Sequence, residues 1–168
     1  MKDQQALMTT LNQCWMRHDG MWFLHCLKDG GIDQANRLNL AAISSLAPLE
    51  VPRLAGLVYG GSPPDMGDFE TFKDFFLRIR EVVIPDFMDL EFHFPETGRM
   101  TWKAGDKGCF ACRGVNRLGV LKDYRCGVLH RIRAWLQTLG VAHEFQPPPD
   151  LCLHHHQGRC RGEIRFPA

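Results

Sequence analysis

The 168-residue chain has no uninterrupted run of the about 18 apolar residues that a membrane-crossing helix needs. Its polar start, Met1-Lys2-Asp3-Gln4-Gln5, has no signal-peptide core. Charge of one sign is lacking too. Twenty basic residues against 19 acidic ones leave a formal +1, well mixed along the chain, which argues against a nucleic-acid or anionic-membrane partner. The expectation is a soluble cytoplasmic protein. Internal repeats and low-complexity linkers are absent, so residues 1–168 are read as one domain, long enough to bury a core without disulfide staples. There is no Gly-rich phosphate loop, no dinucleotide fingerprint and no local hydrolase signature. No catalytic residue is therefore assigned, and binding is favoured over catalysis.

Cysteine is what the chain has in excess: seven, an odd count. Without a secretion signal these are expected to be reduced or metal-bound rather than bridged. Cys14 and Cys26 fall on helical faces and read as small buried apolar residues. Cys126, Cys152 and Cys160 are different. In the stretch Asp150-Leu-Cys152-Leu-His-His-His-Gln-Gly158-Arg-Cys160, two thiols enclose seven residues, among them His154, His155 and His156. A third thiol on the preceding helix can join them. Three soft ligands favour zinc, and a fourth from Asp150 or one of the histidines would close a structural shell. Cys109-Phe-Ala-Cys112 is a C-x-x-C motif. It supports a redox dithiol, or part of an iron–sulfur site drawn from four of the five C-terminal cysteines.

Periodicity divides the chain into a helical part, 1–85, and a sheet and cysteine-rich part, 86–168. Leu7, Leu11, Cys14, Trp15, His18, Trp22 and Cys26 recur at helical steps up to a Gly30-Gly31 stop. Asp33 is expected to cap a second helix ended by Pro48, and a third runs from Pro52 to Tyr59 before Gly60-Gly61-Ser62-Pro63-Pro64. Asp68 caps a helix whose face is Phe69, Phe72, Phe75, Phe76, Ile79, Val82 and Val83. The period then drops to two. Leu90–Phe94 and Met100–Ala104 flank the Pro95–Gly98 turn as a hairpin. A turn or short helix over Cys109–Lys122 follows, then a helix over Val128–Leu139 ended by Gly140. Val141–Phe145 and Gly162–Phe166 read as a closing strand pair joined by the cysteine loop. The fold class is α+β: helices first, then an antiparallel sheet with helices packed on it.

The pattern Cys126…Cys152-x7-Cys160, with Gly158 before the last cysteine and Gly-Glu-Ile-Arg-Phe166 after it, resembles the C-terminal signature of the 4-vinyl reductase family of small-molecule-binding domains. The resemblance covers roughly residues 88–166 and rests on spacing. It implies that Cys126, Cys152 and Cys160 hold zinc beside a hydrophobic ligand pocket. The family's fourth ligand is an acidic residue just upstream of the C-x7-C pair, where this chain has prolines and Asp150. The segment Trp15-Met-Arg-His18-Asp19-Gly20-Met-Trp22-Phe23, with Cys109, Cys126, Pro148-Pro149-Asp150 and Cys160, resembles an uncharacterised family of bacterial and archaeal cytosolic proteins, which carries no activity over.

Together these readings point to a small-molecule-binding or sensing domain for an apolar or aromatic ligand, with a structural zinc and output through a partner or a homodimer. Trp15, His18, Asp19 and Trp22 are candidates for a polar and aromatic pocket lining. Phe72, Phe76, Phe92, Phe94 and Trp102 would suit an apolar ligand if the core is hollow. Gly20, in mid-helix, costs helix stability unless something approaches there. The rivals are a metal-dependent hydrolase or reductase with Asp19 or His154–His156 moving protons, and a redox or iron–sulfur protein using Cys109 and Cys112.

Overall fold

The computed structural model describes residues 2–61 and 68–167. Helix α1 spans Lys2–Tyr59 and is broken at Gly31, where φ is 75° and ψ is −176°. Only glycine takes that conformation without strain, so the expected Gly30-Gly31 stop becomes a kink. The cap position falls at Gly31 itself, and Asp33 lies in the turn after it. Two other expected boundaries do not occur, because Pro48 and Pro52 both lie inside the helix. Each proline frees the carbonyl four residues earlier, at Ser44 and Pro48. Both positions are exposed. Water can take those bonds, so the helix continues to Gly60. Ser62-Pro63-Pro64 lie outside the described residues.

The second half of α1 buries Ala47, Val51, Leu54 and Ala55 against α2 (Phe69–Val83) and α4 (Gly127–Thr138). By length and composition α1 is the one described helix able to cross a membrane, although the chain lacks an unbroken apolar run. In its first half Leu7, Leu11, Trp15, Met21 and Trp22 are exposed. Asp68 caps α2 as its sequence predicts. Its carboxylate accepts the Thr71 N–H at 2.9 Å and the Thr71 hydroxyl at 2.8 Å, which satisfies donors that a helix start leaves unpaired.

A four-stranded antiparallel sheet follows, in the order β1-β2-β4-β3. Its strands are β1 (Leu90–Glu96), β2 (Arg99–Ala104), β3 (Glu144–Gln146) and β4 (Arg161–Arg165). The expected hairpin and closing pair are both present, and β4 joins them by pairing with β2 and β3. Two shorter helices complete the chain: α3 (Phe110–Arg117) and α5 (Leu153–Gln157). Leu121–Asp123 forms a 3-10 turn. The architecture is α+β, with a helical N-terminal half.

Buried side chains form two clusters. One is aromatic: Phe72, Phe75 and Phe76 of α2 pack with Phe92, Trp102 and Ile164 of the sheet and Leu129 and Leu136 of α4. Full burial of such a side chain contributes about 1.5–3 kcal/mol. The other is small and sulfur-rich. It contains Cys109, Cys112 and Cys152 with Phe23, Ala35, Val115, Leu121 and Tyr124, and Cys160 packs against it.

Candidate metal centre and adjoining cavity

Four chain segments deliver five thiols to one neighbourhood. Cys109, Cys126 and Cys152 each occupy the residue before a helix, at α3, α4 and α5. Cys112 lies one turn into α3. Cys160 precedes β4, where its carbonyl accepts the Ala104 N–H at 2.8 Å and ties it to the end of β2. The Cys152 N–H donates to the Tyr124 carbonyl at 3.2 Å, and His156 Nε2 meets the Lys122 carbonyl at 2.9 Å. These bonds hold the α5 loop on the segment before α4.

Asn36 holds that segment from the other side, and it is the one buried residue with a fully polar side chain among those described. Its amide donates to the Asp123 carbonyl at 2.8 Å and accepts from the Arg125 N–H at 3.0 Å. Both peptide groups flanking Tyr124 are thereby satisfied from α1. Sequence reading missed Asn36. The available signal was an asparagine on the same helical face as Ile32 and Ile43.

The thiols see one another electrostatically. Cys112 and Cys126 each feel Cys109, Cys152 and Cys160, while Cys160 feels Cys109 and Cys152. Cys109, Cys152 and Cys160 are thus each felt by more than one of the other thiols. Burial is the main cause that pushes Cys112 and Cys160 up to about 12. Burial raises Cys109 and Cys126 as well. The backbone N–H groups of Cys112 and Ala111 face the Cys109 sulfur and oppose its rise, without reaching full hydrogen-bond geometry.

Whether this environment suits a thiophilic cation can be judged from its donors and its orphaned atoms. The donors are soft, as zinc and iron require. Trp102 Nε1 is buried with no partner at hydrogen-bond geometry, yet it sits near enough to the Cys160 sulfur to favour its anion. His154 Nδ1 is also buried and unpartnered. Gly108, at φ 75°, leaves open the space beside Cys112 and His154, since a Cβ there would lie 2.6 Å from Cys112 Sγ and 3.2 Å from His154 Cγ. These features fit a metal bound as thiolate. Among the described residues, however, no three of His, Cys, Asp or Glu already stand round one point as ligands. Closing a shell from these neighbours requires side-chain rotation.

Asp150 is not among the groups that the thiols feel. Its side chain is 73% exposed and pairs with Arg133 at 3.3 Å. His155 and His156 are exposed, and their rings stack edge to face on each other.

A cavity of about 440 Å³ adjoins the thiols, within the range of small-molecule sites. α3 and Tyr124 separate the two. Cys109 and Cys112 point into the sulfur-rich cluster, while Phe110, Ala111 and Gly114 line the cavity. Tyr124 lines the cavity and also feels Cys126, Cys109 and Cys152. At depth the walls are Phe23, Met88, Phe92, Ile132 and Trp135. Glu50 fixes the far wall by accepting Trp135 Nε1–H at 2.8 Å and both Nε and Nη2 of Arg131.

Of the expected lining, Trp15, Asp19 and Phe92 face the cavity. His18 and Trp22 do not; both are exposed, and His18 turns to Asp19 at 3.5 Å. Phe72, Phe76 and Trp102 are also elsewhere. They fill the aromatic core, with exposures of 1%, 0% and 1%. The cavity lies beside that core rather than within it, because close packing of these rings leaves no room. Gly20 acquires a role instead. It lines the cavity, and nothing lies within 4 Å of where its Cβ would be.

Comparison with known proteins finds no matching family model, no matching curated protein and no matching solved structure.

Proposed function

We propose that this protein is a small-molecule-binding domain whose cavity takes an apolar or aromatic ligand and whose thiol cluster holds a structural metal ion. The observation that carries this reading is the shared wall: α3 and Tyr124 face the cavity on one side and the cysteines on the other. Cys109, Cys112, Cys152 and Cys160 would hold the metal, with zinc the ion that a closed four-thiol shell favours. Cys126 would lie alongside, packed against the aromatic core. Bound there, the ion supplies no reaction chemistry. It offsets the charge of buried thiolates and joins α3, α5 and β4, a corner with little apolar area of its own. The cysteine spacing that resembles the 4-vinyl reductase family, and the zinc beside a hydrophobic pocket which that resemblance implies, support this reading.

Dithiol exchange at Cys109 and Cys112 fits less well. An attacking thiol needs a lowered pKa, and burial here raises both.

The test pairs elemental analysis of untagged protein with titration of a neutral fluorescent dye, N-phenylnaphthylamine. One equivalent of zinc and saturable dye binding are expected. Gly20→Leu supplies the structural control. Replacing a mid-helix glycine is expected to stabilise α1 by about 0.5–1 kcal/mol. The new side chain enters the cavity, so dye binding should fall while the melting temperature holds or rises. Dye binding unchanged in Gly20→Leu would place the ligand elsewhere, and metal-free protein with seven freely titrating thiols would remove the metal from the reading.

A further inference from the structure

The cavity is graded in polarity from floor to mouth. Its buried lining is mostly apolar; the polar groups there are the hydroxyl of Tyr124 and the indole N–H of Trp135, which Glu50 accepts, and the half-buried Asn39 also lines the cavity. That hydroxyl already accepts the Gly127 N–H at 3.1 Å. The exposed lining carries the charge: Arg17 and Asp19 on α1, and Arg117 at the end of α3. A third guanidinium, Arg131, lines the cavity but is neutralised by Glu50 and lies over the Trp135 ring at 5.4 Å. Asp19 lies 3.5 Å from His18 Nδ1. Arg17 and Arg117 are not in any ion pair or side-chain hydrogen bond among the described residues.

Several of the chain's other arginines are committed. Arg113 takes Asp89 and the carbonyls of Gly108 and Phe87. Arg133 takes Asp150, and Arg99 takes Glu96 and Glu163. The side chains of Arg37, Arg80, Arg125, Arg159 and Arg161 are likewise in no ion pair among the described residues; what sets Arg17 and Arg117 apart is that both line the mouth of one apolar cavity. Arginine presents a planar fork suited to a carboxylate. An apolar body in the cavity would bring an acidic end group to the level of these two residues.

From this we infer that the ligand is an amphipathic organic anion: an aromatic or hydrocarbon body seated among Phe92, Ile132 and Trp135, with one carboxylate at the mouth facing Arg17 and Arg117. The inference rests on the cavity being the ligand site and adds to it the chemical class of the ligand. Asp19 on the rim sets a limit. It opposes a second negative charge, so a monoanion is favoured over a dianion.

The experiment compares naphthoate with naphthamide, near-isosteric probes of which only the first is charged, by calorimetric titration of the metal-loaded protein at low salt. Naphthoate should bind about tenfold more tightly, the scale of a charge-assisted contact. That preference should shrink as salt is raised, because the arginines are exposed. In Arg17→Gln/Arg117→Gln the preference should disappear while naphthamide binds as before. Equal affinities in the wild type, or a preference that survives in the double variant, would overturn the inference. In either case dye and naphthamide binding would leave the cavity itself intact as the site. Failure of dye and both naphthalene probes to bind would overturn the cavity assignment and this inference together.

Discussion

The two buried clusters are held by different means. Around α2, large rings interlock: Phe76 lies 5.2 Å from Phe92 and 5.8 Å from Phe94, and Phe72 lies 5.2 Å from Phe166. That cluster has ample apolar area and needs nothing further. Around α3 and α5 three cysteines, two alanines and a valine share the cluster with Phe23, Leu121 and Tyr124, held by Asn36 and a few backbone bonds. That corner is the smaller of the two clusters. Its concentration of thiols makes sense as a cross-linking site, and the cavity lies where the two kinds of packing meet.

The largest effect should come from removing the proposed metal cross-link. Cys152→Ser is expected to abolish metal binding and lower the melting temperature more than any core truncation, since metal binding and folding are coupled by about 10 kcal/mol in small zinc domains. Cys112→Ser should behave similarly and Cys126→Ser should keep the metal, which metal analysis of the three variants checks. Loss of metal in Cys126→Ser with retention in Cys112→Ser would shift the shell toward the aromatic core.

Next is the contrasting region. Phe76→Ala should cost about 3–5 kcal/mol by denaturant unfolding, with metal content unchanged in the folded fraction. If the metal were also lost, the two clusters would be one cooperative unit rather than two.

Asn36→Ala comes third. It strands the Asp123 carbonyl and the Arg125 N–H, at about 1–3 kcal/mol. Because those groups flank Tyr124, dye binding should weaken along with stability. Unaltered binding would show that the wall does not depend on this clamp.

The smallest effect is at Asp68. The Thr71 N–H and hydroxyl hold its carboxyl below the ordinary 3.8. A depressed folded value means the contribution is complete above 3.8 and is lost as pH falls through the lower folded value. Asp68→Ala should therefore lower the melting temperature slightly at neutral pH and flatten the dependence on acid, with the two proteins converging at low pH.

Local elements were the most legible in the sequence. The Asp68 cap, the stripe from Phe72 to Ile79, the period-two hairpin and the Gly140 stop are set by neighbours within a few positions. The prolines misled for an equally local reason. Their cost depends on whether the freed carbonyls reach water, and that is decided by which side of α1 docks.

The site was less legible. Cysteine spacing singled out Cys126, Cys152 and Cys160, and the C-x-x-C motif singled out Cys109 and Cys112, but nothing along the chain says that the two groups meet. Their meeting depends on β4 inserting between β2 and β3, which carries Cys160 to the end of β2. Likewise, Trp15 and Phe92 share a cavity while Phe72, Phe76 and Trp102 do not, although all are large and apolar. The sequence by itself determined helix and strand, caps, the thiol inventory and the balance of charge, because these depend on residue type and short-range periodicity. Only the tertiary structure decided which thiols are neighbours, which aromatics pack solid and where a space remains, because these depend on how distant surfaces fit together.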